Sequence, residues 1–291
     1  MPELPEVEIL ARHLRPLLRG KTIRGVEVRR MRASRPTTPK DLQKAVSGAT
    51  FNRLLRRGKY LVFELSPPPQ SKTRMRRTMR MIPLTLLGHL GMTGRMFLAL
   101  KKEPLPKHAA IVFDLGCWNF VYEDFRYFGR MTLDLSSLEN LGPEPLGKSF
   151  SPQMLVTALK NSRQSIKVKL LDQAVVAGIG NIYASEALFR ARVSPKLPAN
   201  ELSLGQSTKL CRAIRDVLNE AIKYGSTIHL KTMSGKSDAL FYFSDDGEGF
   251  YETRLRVYDR AGKPCLNCGT AIKRITQAAR STFFCPRCQK A

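Results

Sequence analysis

Two stretches of the 291-residue chain combine residue types and spacings that could do chemistry. The first is the start, "MPELPEVEIL". Removal of Met1, which a small second residue permits, leaves Pro2 with a free secondary amine. An α-amino group titrates at about 7.7–8.0 and a lysine at about 10.4, so far more of the terminal amine is unprotonated near neutrality. Such an amine can attack a sugar C1′ and leave an iminium, a charged electron sink. Glu3, beside it, could carry protons to or from the opened sugar. Taken alone, these residues favour an ordinary Met-Pro start, and the amine chemistry is the alternative they allow.

The second stretch holds Cys265 and Cys268 in "CLNC" and Cys285 and Cys288 in "CPRC", with sixteen residues between the pairs. Two-residue spacing lets both thiolates of a turn reach one metal, and two such turns complete a tetrahedral four-sulfur zinc site. Disulfides are the competing reading, and a reducing compartment argues against them. Four thiolates leave no open coordination position, so the zinc is expected to be structural. Cys117 and Cys211 are expected to be buried core thiols.

Lysine and arginine outnumber acids 49 to 24, a formal charge of +25. Self-repulsion of that size usually answers a polyanion, and nucleic acid is the expected partner. An anionic membrane surface would ask for a basic amphipathic helix, which is not evident. No run approaches the roughly 18 apolar residues of a membrane span. Glutamates stand where a signal peptide carries positive charge, so a cytoplasmic protein is expected.

The elements that must position these groups are legible in outline. Residues 5–19 read as a helix with Val7, Leu10, Leu14, Leu17 and Leu18 on one face and Gly20 as its stop. Pro16 is expected to bend or shorten its last turn. From 21 to about 135, runs such as "YLVFEL" and "AAIVFDL" read as strands of a sandwich or barrel. Helical patterns follow at 151–161, 163–174, 183–191 and 206–224. The fold class is α+β. Its expected parts are a β-sandwich with a leading helix over 1–139, a Gly/Pro-rich linker at 140–152, a helical domain over 153–250 and a zinc β-ribbon over 251–291. Residues 72–80 carry five basic side chains and no acid. A solvated loop is their simpler reading, an arm that grips phosphates the sharper one.

Five motifs in order, "PELPEVE" at 2–8, "RGKYL" at 57–61, "HLGMTG" at 89–94, "GIGNIYASEALF" at 178–189 and "RSTFFCPRCQK" near the end, resemble the bacterial formamidopyrimidine-DNA glycosylase family. The resemblance spans nearly the whole chain. It implies an enzyme that removes 8-oxoguanine and formamidopyrimidines from duplex DNA and then cuts the abasic strand by β- and δ-elimination. It implies Pro2 as nucleophile, Glu3 as acid/base, Glu6 as a structural carboxylate and Lys59 as a lysine that contacts the phosphate beside the lesion and assists chemistry. Asn181, at a helix–two-turns–helix element, and Arg280, on the zinc ribbon, are implied phosphate ligands.

An extruded base leaves a gap in the duplex. The resemblance assigns Met92, Arg126 and Phe128 to fill it, although pattern alone would put Met92 and Phe128 in a core. A lesion-covering loop is implied near 225–243. The family's usual "DPRRFG" reads "DFRYFG" here, which removes one basic residue near the opposite strand. The expected partner is double-stranded DNA bearing oxidised bases or abasic sites, met by a monomer. The nearest alternative is the endonuclease VIII branch, which acts on oxidised pyrimidines and usually begins "PEGPE". A non-catalytic zinc-bearing DNA-binding protein is the more distant one.

Overall fold

In the computed structural model, residues 2–67, 84–225 and 251–290 are described. The basic run at 72–80 and the stretch implied as a lesion loop, apart from its first residue, lie outside them. The chain divides into two compact units. The first takes Pro2 and residues 7–137, and the second takes residues 3–6, 138–225 and 251–290.

Helix α1 (Leu4–Leu18) contains Pro16 without ending there. Pro16 and Arg12 both face solvent, so the carbonyl that the proline leaves unpaired can be hydrated. In the first unit α1 buries Val7, Leu10, Ala11, Leu14 and Leu18. Two four-stranded antiparallel sheets share this core. One has the order β1-β6-β7-β5, from β1 (Gly25–Val28), β5 (Gly94–Leu100), β6 (Ala109–Asp114) and β7 (Trp118–Asp124). The other has the order β2-β3-β4-β8, from β2 (Thr50–Arg57), β3 (Tyr60–Ser66), β4 (Leu84–His89) and β8 (Arg130–Thr132). Strand β3 alternates buried and half-buried residues, as a strand with one face on the core must. Phe51, Phe63, Phe113 and Phe120 meet at centroid separations of 5.6–6.0 Å, mostly tilted or edge-on. A smaller cluster of Ala99, Ala109, Val112 and Val121 forms apart from that core, which is why β6, apolar on both faces, reads as a nearly continuous apolar run.

Sequence patterning missed α2 (Pro39–Val46) and the three-residue β8. Helix α2 buries only Leu42 and Val46, too few to display a period, although Thr38 accepts from the Asp41 amide as an N-cap and Pro39 follows it. Cys117 is a correction. It lies in the β6–β7 turn after Gly116, whose φ is +97°, and is exposed rather than in the core. Cys211 is buried as expected.

The second unit contains α3 (Ser136–Glu139, whose first two residues still belong to the first unit), α4 (Pro152–Leu159), α5 (Ile166–Leu170), α6 (Asn181–Arg190) and α7 (Leu204–Lys223). Helix α7 starts with a Ser203–Gln206 capping box and buries Leu210, Ile214, Val217, Leu218 and Ala221. The pattern read at 163–174 is a short helix followed by turns. Gln173 braces those turns, donating to the Leu171 and Ile179 carbonyls and accepting from the Gly178 amide. Strands β9 (Lys273–Gln277) and β10 (Arg280–Phe284) form the ribbon, joined by Ala278 and Ala279 at φ +46° and +58°. No helix among the described residues is long and apolar enough to cross a membrane.

Candidate active site, zinc centre and anion contacts

The chain start is fixed by α6. Within the second unit, the Leu4 amide donates to the Gly178 carbonyl at 3.0 Å. The Glu3 carboxylate accepts the amides of Ile182 at 2.9 Å and Tyr183 at 3.4 Å, which belong to the first turn of α6 and have no partner inside the helix. Any side chain at Gly180, just ahead of that turn, would overlap the carboxylate. Glu6 accepts from the Glu3 amide at 2.8 Å and from the Tyr183 hydroxyl at 2.5 Å. Burial, followed by the Glu6 charge, pushes the Tyr183 phenol well above its ordinary range, so it stays a donor. Pro2 is half-buried and peptide-linked to this anchored residue.

In the first unit, Lys59 lies in the β2–β3 turn after Gly58, whose φ is +57°. It is only 7% exposed, unlike an ordinary hairpin-turn lysine. His89, paired with Tyr60 across β3 and β4, accepts the Gly91 amide at Nδ1, so its ring proton sits on Nε2. Burial, then the charges of Arg130 and Lys59, hold it down at about 4, against a weaker upward pull from Asp124. It is therefore a neutral donor near neutrality, a role the sequence did not flag.

Met92 and Phe128 are 43% and 52% exposed, not core residues. Arg126 lies with its guanidinium 5.0 Å from the Phe128 ring centre. Tyr127, at the departure from the family motif, has φ +54°, and its hydroxyl accepts from Arg30 at 3.3 Å.

Asn181 opens α6. Its Oδ1 accepts from Lys167 Nζ at 2.6 Å and its Nδ2 donates to the Ser281 carbonyl at 3.0 Å. Lys167, fully buried, also donates to the Ser281 carbonyl at 2.9 Å and to Thr282 Oγ1 at 2.6 Å. One ammonium thus joins α5, α6 and β10 with three donors to three acceptors. Burial, and after it the Arg280 charge, lowers it to about 8, against an upward pull from Glu3. Sequence reasoning missed Lys167 because "SIKVKL" shows no sign of burial. Arg280 is exposed at the first position of β10. Glu186 ties α6 to the segment before the ribbon, accepting the amides of Arg256, Val257 and Tyr258 at 2.8–2.9 Å.

The four thiols of Cys265, Cys268, Cys285 and Cys288 lie within 4.8 Å of one another. Cys268–Cys285 and Cys265–Cys288 separations of 3.5 and 3.9 Å bracket the roughly 3.8 Å edge of a tetrahedron with Zn–S bonds of about 2.3 Å. They are far too long for disulfides. The set fits one zinc ion with every position filled by sulfur.

Comparison with known proteins matches the chain to three family descriptions. These are the formamidopyrimidine-DNA glycosylase N-terminal domain over residues 1–131, the formamidopyrimidine-DNA glycosylase H2TH domain over 141–232, and a zinc finger found in FPG and IleRS over 262–291. The formamidopyrimidine-DNA glycosylase of Carboxydothermus hydrogenoformans is 37% identical with both chains covered in full. That of Symbiobacterium thermophilum is 39% identical, covering 99% of this chain and 89% of its own. A Lactococcus lactis FPG mutant bound to Fapy-dG-containing DNA superposes with a TM-score of 0.84 at 32% identity, both chains covered in full. MutM bound to DNA containing carbocyclic 8-oxo-G gives 0.83 at 31%, again over both full chains. The chain belongs to the formamidopyrimidine-DNA glycosylase family.

Proposed function

We propose that this protein excises oxidised purines, 8-oxoguanine and formamidopyrimidines, from duplex DNA and then cuts the strand, working from the amine of Pro2. The observation that carries the reading is the seating of Glu3 on the first turn of α6, which fixes the residue next to that amine. The Pro2 nitrogen attacks C1′ of the lesion nucleotide, the C1′–base bond breaks, and the base leaves with a proton. Opening of the sugar and loss of the amine proton give an iminium. Its positive charge acidifies C2′. Loss of that proton breaks the 3′ carbon–oxygen bond, and a second elimination releases the 5′ phosphate. Glu3 moves protons on the opened sugar. Lys59 contacts the phosphate beside the lesion.

Residues 1–139 supply chemistry and the wedge of Met92, Arg126 and Phe128. The helical part, 153–250, brings Asn181, and the ribbon, 251–291, brings Arg280, both to phosphates flanking the lesion. Zinc held by the four cysteines supplies no reaction step; it fixes the ribbon that carries Arg280. The charge of +25 suits the phosphate backbone. The protein acts as a monomer in the bacterial cytoplasm, on nucleoid DNA.

Single-turnover excision from duplexes holding either 8-oxoguanine or an oxidised pyrimidine tests the reading. Faster purine release is expected, and a reversed preference would move the protein to the endonuclease VIII-like reading. Glu3→Gln should slow excision by about 10²–10⁴-fold, the usual worth of a positioned proton carrier. Gln keeps one acceptor for the α6 amides, so the loss should fall on rate rather than DNA affinity, which fluorescence anisotropy would resolve. Lys167→Met leaves the half-buried Asn181 Oδ1 and the buried Thr282 hydroxyl without their lysine donor. Urea unfolding should show a loss of about 2 kcal/mol, and DNA affinity should fall because the Asn181–ribbon tie is gone.

A further inference from the structure

Met92 stands in the β4–β5 turn, whereas Arg126 and Phe128 stand in the β7–β8 turn, all in the first unit. Side chains that enter one gap together need a fixed spacing, and the structure contains a device that provides it. Asp124, the last residue of β7, is fully buried. Its Oδ1 accepts from Thr93 Oγ1 at 2.6 Å and the Arg126 amide at 3.2 Å. Its Oδ2 accepts from the Gly129 amide at 2.8 Å and the Tyr122 hydroxyl at 3.2 Å. Thr93, the neighbour of Met92, also accepts the Arg126 amide on its hydroxyl at 3.2 Å.

The two turns touch through their backbones as well. Gly91, at φ +61°, approaches so closely that a Cβ there would overlap the Gly129 nitrogen and the Phe128 carbonyl carbon. Sliding one turn past the other would break the 2.6 Å Thr93 bond, the side-chain bond that ties Asp124 to the β4–β5 turn, and leave a fully buried carboxylate one donor short, a cost in a dry site.

We propose that Thr93 and Asp124 form a latch that positions the wedge, coupling Met92 to Arg126 and Phe128 so that they enter the duplex as one body. The inference rests on the wedge reading given under the proposed function, and the latch residues are positioning residues that touch no reacting atom. Extruding a paired, stacked base needs the wedge in place, whereas a site that has already lost its base has less stacking to replace. The latch should therefore matter for excision and little for cleavage at a preformed abasic site.

Thr93→Val and Thr93→Ser separate these cases. Single-turnover excision of 8-oxoguanine opposite cytosine is measured beside strand cleavage at an abasic site, with Met92→Ala in parallel. Thr93→Val is expected to slow excision by about tenfold or more and to leave abasic cleavage within about twofold, because a misplacement near 1 Å is enough for such a loss. Thr93→Ser, which keeps the hydroxyl, should restore excision. Thr93→Val combined with Met92→Ala should be no slower than the slower single variant. If Met92→Ala slows excision but Thr93→Val slows nothing, slows both reactions equally or adds fully to Met92→Ala, the latch is overturned and the wedge stands. If Met92→Ala leaves excision unchanged, the wedge reading itself falls and the latch with it.

Discussion

A version of the protein that keeps one residue ahead of Pro2 should lose base excision and strand cleavage together, by at least about 10³-fold, or roughly 4 kcal/mol of transition-state stabilisation. An added residue turns the Pro2 nitrogen into an amide whose lone pair is delocalised and no longer attacks carbon. The seat of Glu3 is made by its own amide and carboxylate with Glu6, Ile182 and Tyr183, so it does not depend on the atom being blocked. Duplex binding should survive, and circular dichroism should be unchanged. Excision followed on a denaturing gel, with intact mass to establish which residue comes first, reads the outcome. Retained excision in the extended form would require another nucleophile.

Removing the zinc should have the next largest effect. The apolar cluster that holds the ribbon is small: Val257, Ile272 and Phe283 around two of the cysteines, with Phe189 of α6. A structural zinc is worth about 10–16 kcal/mol of apparent binding free energy in isolated fingers near neutrality, far more than such a cluster can supply. Cys285→Ser, or chelation, should therefore unfold β9 and β10. Arg280 then loses its place, and Lys167 loses two of its three acceptors, the Ser281 carbonyl and the Thr282 hydroxyl. DNA affinity should fall by about 10²-fold or more, with a shallower salt dependence as phosphate contacts disappear. The first unit has its own core and should keep its thermal transition. Metal content, anisotropy titrations at several salt concentrations and calorimetry report these separately. Unchanged affinity in zinc-free protein would remove the ribbon from the DNA contacts.

What the sequence made legible was local. Helix α1, seven of the eight sandwich strands and the cysteine knuckles all announce themselves through spacing within a dozen residues. The groups it hid are those whose partners lie far along the chain. Lys167 looks like any helix lysine until residues 281 and 282 arrive on β10. Glu3 looks like a first-turn acid of its own helix, and its partners are amides of α6 near residue 182. His89 is kept neutral by burial and by cations from two other segments. The error over Cys117 has the same origin. Its neighbours are apolar, and only the turn at Gly116 puts it outside. The exposure of Met92 and Phe128 is likewise set by two turns locked on Asp124, not by any property of their own strands. The motif resemblance supplied what spacing could not, because it singled out residues such as Lys59 that composition and periodicity treat as ordinary.

In the proposed reaction the Pro2 amine becomes covalently joined to the sugar of an oxidised purine nucleotide. Borohydride reduction during reaction with an 8-oxoguanine duplex, followed by proteolysis and mass analysis of the cross-linked peptide, tests it directly. A trapped adduct is expected on the peptide beginning at Pro2, formed at the rate of excision. An adduct carried by a lysine peptide, or excision with no trapped adduct in zinc-loaded protein lacking Met1, would contradict it.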